Sequence, residues 1–143
     1  ILNISPPLDM NPVWFQGHVA YTMAKYNMSL CVLGMAAEYK GQIGVNALWP
    51  RTAIKTAAVK NVLGGDEMMK KSRDPQIMAD AAHIILNKDK DKFSGNFVLD
   101  DSLLAEHGET DFSKYADYPF AELIPDFFVP EDAYPVPQVV KDS

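Results

Sequence analysis

Two short apolar runs, Ile1–Ile4 and Ile43–Leu48, enclose an uninterrupted helical pattern from about His18 to Lys40. That order limits the fold more than any other feature of the chain. Antiparallel neighbours can be joined by a tight hairpin, whereas a long helix between two strands is the return path of a parallel pair. Pro6 and Pro7 close the first run, Gly41 follows the basic last turn of the helix, and Pro50 ends the second run. Within the helix, Val19, Met23, Tyr26, Leu30, Leu33 and Ala37 recur at three- and four-residue steps, which predicts one buried face. Met28, Val32 and Met35 extend the apolar surface to a second side. A helix apolar on two sides is expected to be covered on two sides, so helix 18–40 is read as a homo-oligomer contact.

Beyond Pro50 the pattern predicts a helix over Thr52–Leu63, stopped by Gly64-Gly65, and then an irregular charged flap over 66–73. Asp74-Pro75 is a helix start, with aspartate as cap and proline in the first turn. The helix it opens, Gln76–Asn87, should bury Ile77, Ala81, Ile84 and Ile85. A solvated turn over 88–92, a third strand over Gly95–Leu99 and a short helix over Ser102–His107 follow. From 109 to 132 aromatics mix with acids, and that segment is expected to fold back on the body. The stretch 133–143, with Pro135 and Pro137, reads as a linker.

Tyr21 and Lys25 stand four apart, off the Val19–Ala37 stripe, so they share a second face of the helix. A cation beside a phenol favours the phenolate, which predicts a Tyr21 pKa below the ordinary value of about 10. Such a tyrosine can exchange a proton with a hydroxyl or carbonyl. Six tyrosines and eleven lysines make a chance pair at this spacing easy to find, and a solvent-facing pair is the alternative. Context favours chemistry: Tyr21 near the helix start lies by the carboxyl ends of the strands, where open parallel sheets bind ligands. Ser5, leaving the first strand, suits a donor to a carbonyl oxygen, with a backbone-bonding role as the equal alternative.

Other classes are disfavoured. Residues 1–99 carry a net charge of +3 and residues 100–143 a net of −9, and such an acidic end repels nucleic acid. No run of eighteen apolar residues exists, so no membrane span is expected. His18, His83, His107 and Cys31 lack metal-ligand spacing, so no metal site is expected. Gly64-Gly65 lacks the strand–glycine–helix order of a phosphate loop. The chain opens inside an expected strand without Met and reads as a fragment of one domain.

Four segments together carry a resemblance: Ile1-Leu2-Asn3-Ile4-Ser5, Ala20-Tyr21-Thr22-Met23-Ala24-Lys25, Val45-Asn46-Ala47-Leu48-Trp49-Pro50 and Gly95-Asn96-Phe97-Val98-Leu99-Asp100. In this order they resemble the short-chain dehydrogenases/reductases, from Ile1 to about Tyr134. The resemblance implies an α/β fold, the carboxyl-terminal portion of a Rossmann-like, doubly wound parallel sheet with three strands here. Residues 1–108 would belong to that domain, and the phosphate-binding loop would lie in a half outside this chain. The 143 residues alone are therefore expected neither to hold a dinucleotide nor to turn over.

The implied activity is hydride transfer between NADP(H), or NAD(H), and a small carbonyl or alcohol substrate, lipid-like ones included. Tyr21 would be the general acid/base, and Lys25 would hold the nicotinamide ribose. Pro50 would lie along the nicotinamide, with Thr52 and Ile54 as further cofactor contacts. Ser5 would polarise the substrate, although the family's usual serine slot is Pro6 here. Arg51 and Lys55 stand where the family carries glycine and threonine. Members with the Asn-Ile-Ser-Pro-Pro turn are peroxisomal, with mitochondrial association as the alternative. A non-catalytic lipid- or acyl-binding module, or a dimerisation module on the same fold, is the rival reading.

Overall fold

The computed structural model describes residues 1–143. Strands β1 (Leu2–Ile4), β2 (Asn46–Trp49) and β3 (Phe97–Leu99) form one sheet in that spatial order. Both pairs are parallel, with Ile4 opposite Leu48 and Trp49 opposite Leu99. The residues leaving the strands, Ser5, Pro50 and Asp100, consequently line one rim of the sheet. Five helices accompany the strands: α1 (Val19–Glu38), α2 (Gly65–Lys70), α3 (Gln76–Leu86), α4 (Asp100–Glu106) and α5 (Gln138–Lys141).

Successive side chains of β2 point to opposite faces, and each face has its own cover. Leu48 is fully buried among Ile77, Ala81 and Ile85 of α3 and Leu103 and Leu104 of α4. Ala47 packs with Val32 of α1 and Val45, while Trp49 joins Tyr26, Leu99 and Phe128 in a separate cluster. Helices thus cover both faces, the doubly wound arrangement expected of a βαβ chain. Gly41, at φ 77°, turns the chain out of α1 in a conformation that glycine adopts without strain.

The buried face of α1 is not the apolar stripe that the spacing predicts. Its buried residues are Thr22, Tyr26, Ser29 and Val32, whereas Val19, Met23, Leu30 and Leu33 are each more than 50% exposed. The reason is hydrogen bonding. Thr22 Oγ1 donates to the Trp14 carbonyl at 2.5 Å, Ser29 Oγ to that of Pro6 at 2.6 Å and the Tyr26 hydroxyl to that of Asp9 at 2.7 Å. A hydroxyl with a backbone acceptor is buried at little cost, and hydropathy spacing is blind to it. These three bonds clamp α1 onto the loop leaving β1.

The expected helix over Thr52–Leu63 is also corrected. Thr52 pairs with Pro125 and Ile54 with Arg73 as isolated bridges, so the chain leaving β2 stays extended. Ala53 N–H donates to the Ile124 carbonyl, and Arg73 N–H to the Ala53 carbonyl. Only residues 57–63 coil, the last five of them, Val59–Leu63, as a wide turn of π-helix. The expected flap over 66–73 contains α2 and ends in two buried residues, Ser72 and Arg73. Arg73 donates from Nη1 to Asp101 at 2.9 Å inside the protein. A distant acid makes that burial tolerable, so no local pattern announces it.

Asp74 Oδ1 accepts from Gln76 N–H at 2.9 Å and so caps α3, with Pro75 between them. In the acidic, aromatic segment, Phe112, Tyr115, Leu123 and Phe128 are buried. The stretch expected as a linker carries α5, and its Val140 is fully buried in the Leu48 cluster. No helix is long and apolar enough to cross a membrane.

Candidate active site

Tyr21 and Lys25 project from the first two turns of α1 towards the rim where β1 and β2 end. Lys25 Nζ lies 5.2 Å from the centroid of the Trp49 ring and donates a long, 3.5 Å hydrogen bond to the Ile4 carbonyl. Tyr21 is 48% exposed, and its ring stacks on Phe128 at 5.8 Å with planes 18° apart. The Tyr21 hydroxyl has no hydrogen-bond partner in the chain. Both side chains therefore present free polar ends at one place, beside the last residue of β2.

Ser5 and Thr52 add two hydroxyls near that rim. Ser5 is buried, and so is Thr52, and neither Oγ nor Oγ1 has a partner. Unpaired buried hydroxyls are uncommon, and here they stand just past the carboxyl ends of β1 and β2. Pro50 is buried between them in sequence. Ile54 lies further off: it is half-buried and packs against the cluster around Leu48. Of the six residues named from the sequence, Tyr21, Lys25, Ser5, Pro50 and Thr52 gather at the rim, while Ile54 serves the core.

Arg51 turns away from the rim. Its Nε donates to both oxygens of Asp101, at 2.8 and 2.9 Å, and its Nη2 donates to Ser102 Oγ at 2.7 Å. Nη1 donates to the Tyr134 carbonyl, so one guanidinium ties the exit of β2 to α4 and to the chain before α5. Asp100, next to that pair and fully buried, has its carboxyl pushed up to about 7 by burial and by the adjacent Asp101 carboxylate.

Asp126 is the site residue that sequence reasoning missed. Its N–H donates to the Arg51 carbonyl at 2.9 Å, which sets it beside the loop leaving β2. Burial pushes its carboxyl up to about 6, against the pull of the Phe127 N–H and of Lys25. In turn, burial and the Asp126 carboxylate raise the Tyr21 phenol above its ordinary value. That direction corrects the expected one, because burial and the Asp126 charge outweigh the lysine four residues along the helix. The signal available was the triplet Asp126-Phe127-Phe128, since an acid next to two large rings is carried into apolar surroundings with them.

Known proteins resemble the chain in sequence and in fold. Over 131 residues the chain is 59% identical to hydroxysteroid dehydrogenase-like protein 2 of Xenopus tropicalis, covering 92% of this chain and 31% of that protein. The protein of the same name from Homo sapiens is 56% identical over 135 residues, or 94% of this chain and 31% of its own length. A crystal structure described as a dehydrogenase from Xanthomonas campestris superposes with a TM-score of 0.83 at 47% identity, covering 92% of this chain and 48% of that one. A short-chain dehydrogenase from Mycobacterium thermoresistibile gives 0.81 at 46% identity, covering 96% and 48%.

The chain shares its fold with about half of each of those two dehydrogenase structures. No family model matches the chain. It spans about a third of the length of the curated relatives it matches. The rim residues Ser5, Tyr21, Lys25 and Pro50 all lie in the segments that carried the sequence resemblance.

Proposed function

We propose that the protein is an NAD(P)-dependent oxidoreductase that moves hydride to or from a carbonyl or hydroxyl group. The observation that carries this reading is the convergence of Tyr21 and Lys25, both with free polar ends, on the rim beside Pro50. Lys25 has only one weak hydrogen bond, which leaves its ammonium free to hold a pair of ribose hydroxyls. When bound, the nicotinamide supplies or takes the hydride. Ser5 Oγ, buried and unpaired, is the donor that would fix the substrate oxygen.

Tyr21 then transfers the proton. Its raised pKa keeps the phenol protonated through the neutral range, which is the form that carbonyl reduction requires. Pro50 and Thr52 line the nicotinamide side, and NADP(H) is the proposed form, with NAD(H) as the alternative. The residues present suit the nicotinamide and its ribose. The substrate is a small carbonyl or alcohol compound, with a lipid-like chain as the specific suggestion. Peroxisomal residence belongs to the proposal on the strength of the resemblance, with the mitochondrion as the alternative.

The exposed stripe of Val19, Met23, Leu30 and Leu33 favours pairing of α1 with a second copy. A rival reading, a non-catalytic acyl-binding module, is favoured by Pro6 in the usual serine slot and by Arg51, whose guanidinium is fully engaged away from the rim. One experiment separates the two. In the full natural chain, NADPH and NADH binding is followed by nucleotide fluorescence, and reduction of phenanthrenequinone by absorbance. Lys25→Ala should weaken nucleotide binding, and Tyr21→Phe should leave binding intact while abolishing reduction. A chain that binds neither nucleotide but retains palmitate is the acyl binder, and the redox proposal falls.

A further inference from the structure

Phe128 is the one residue other than glycine with a backbone in the left-handed region, at φ 69°. For a bulky side chain this conformation is strained, and glycine or asparagine would adopt it more cheaply. Strain of this kind persists only where the surroundings over-determine it, and it gathers at functional sites. The surroundings here do so. Asp126 N–H is fixed on the Arg51 carbonyl, Phe127 N–H on the Asp126 carboxylate, and the Phe127 carbonyl accepts from Trp49 Nε1 at 2.7 Å. With the two residues before it held in this way, Phe128 turns inwards, where it is fully buried.

What the inward ring touches is uneven in its dependence on Phe128. Tyr26, at 5.2 Å, is also held by its own hydroxyl on Asp9, and Trp49 by its indole N–H on Phe127. Tyr21 has neither support: its hydroxyl is unpartnered, and Phe128 is its sole aromatic neighbour. No hydrogen bond and no second ring fixes where the Tyr21 ring lies across the rim. The geometry points to Phe128 as a positioning residue, a platform whose stacked ring sets the place of the Tyr21 hydroxyl at the rim.

This inference rests on the reading of Tyr21 as the acid/base. The charged and titratable groups around the pair are Lys25 on α1, His18 against the Phe127 ring, Asp9 behind Tyr26 and Asp126 on the same segment. None of them bonds Tyr21, so the stack is the contact left to orient it.

The test uses the full natural chain labelled with 3-fluorotyrosine, the Tyr21 fluorine signal being the one lost in Tyr21→Phe. In Phe128→Leu that signal should move to the position of free fluorotyrosine, as the ring current disappears. Phe15→Leu is the control, because Phe15 belongs to the same cluster but packs edge-on against Tyr26 instead. It should leave the Tyr21 signal in place. With phenanthrenequinone and NADPH, Phe128→Leu should lower kcat by about ten- to a hundred-fold with KM for NADPH unchanged. A Tyr21 signal unmoved by Phe128→Leu, or an equal kcat loss in Phe15→Leu, would overturn the proposal. Should Tyr21→Phe itself reduce the quinone at the normal rate, the redox reading fails, and the fluorine signal alone decides whether Phe128 places Tyr21.

Discussion

Asp101 holds two guanidiniums at once: Arg51 Nε lies 2.8 Å from one of its oxygens and Arg73 Nη1 2.9 Å from the other. All three side chains are buried. Removing the shared acid would strand two cations away from water. Asp101→Ala should therefore cost about 3–5 kcal/mol, the usual penalty for breaking a buried pair from one side. Urea unfolding measures it, and a loss below about 1 kcal/mol would show the pairs to be as weak as exposed ones.

Asp126 makes stability depend on pH in a definite direction. Its carboxyl titrates at about 6 when folded, above the ordinary carboxylate near 4. Between those values the folded chain binds more protons than the unfolded one, so stability falls as pH rises through the window from about 4 to about 6. Asp126→Asn should remove that fall and gain on the parent as pH increases from 4 to 7. Chemical denaturation at a series of pH values reads the difference. A parallel pair of curves would show that the carboxyl titrates normally.

The same substitution bears on Tyr21. With the Asp126 carboxylate gone, the tyrosine phenol should titrate lower, since that charge is one of the two causes that raise it. The observable is the ionisation absorbance of Tyr21, obtained as the difference between a chain with and without Tyr21→Phe.

Ser29 should be worth more than its size suggests. Its hydroxyl, wholly buried, serves the Pro6 carbonyl at 2.6 Å. Ser29→Ala leaves that acceptor without a donor and is expected to cost about 1–3 kcal/mol. Thermal unfolding checks it, and an unchanged midpoint would show the bond to be worth nothing net.

If α1 meets a second copy, the contact runs through Leu30 and Leu33, which are 54% and 52% exposed. Leu30→Glu together with Leu33→Glu should leave the circular dichroism spectrum unchanged while shifting the full natural chain towards monomer in sedimentation. A wild-type chain that sediments as monomer at micromolar concentration would remove the contact.

The parallel order of strands was legible because it depends on coarse features: an apolar run, a long proline-free helix, Gly41, and a second run closed by Pro50. The start of α3 was legible for a similar reason, since Asp74 and Pro75 act within three residues of one another. The inward side of α1 was not. Thr22 and Ser29 are polar by composition, and they become interior residues only because the carbonyls of Trp14 and Pro6 arrive opposite them. The site divides along the same line. Tyr21 and Lys25 are four apart on one helix and can be found by counting, whereas Asp126 and Phe128 reach them across about a hundred residues of chain.

The double grip of Asp101 also governs the excursion between Arg51 and Arg73. Both feet of that excursion are tethered to a single carboxylate, and the Ile54–Arg73 bridge joins them again one step further out. Everything from Thr56 to Lys70 is thus a handle with its two roots fused. The wide turn and α2 therefore leave the interior and return to it at a single anchored place.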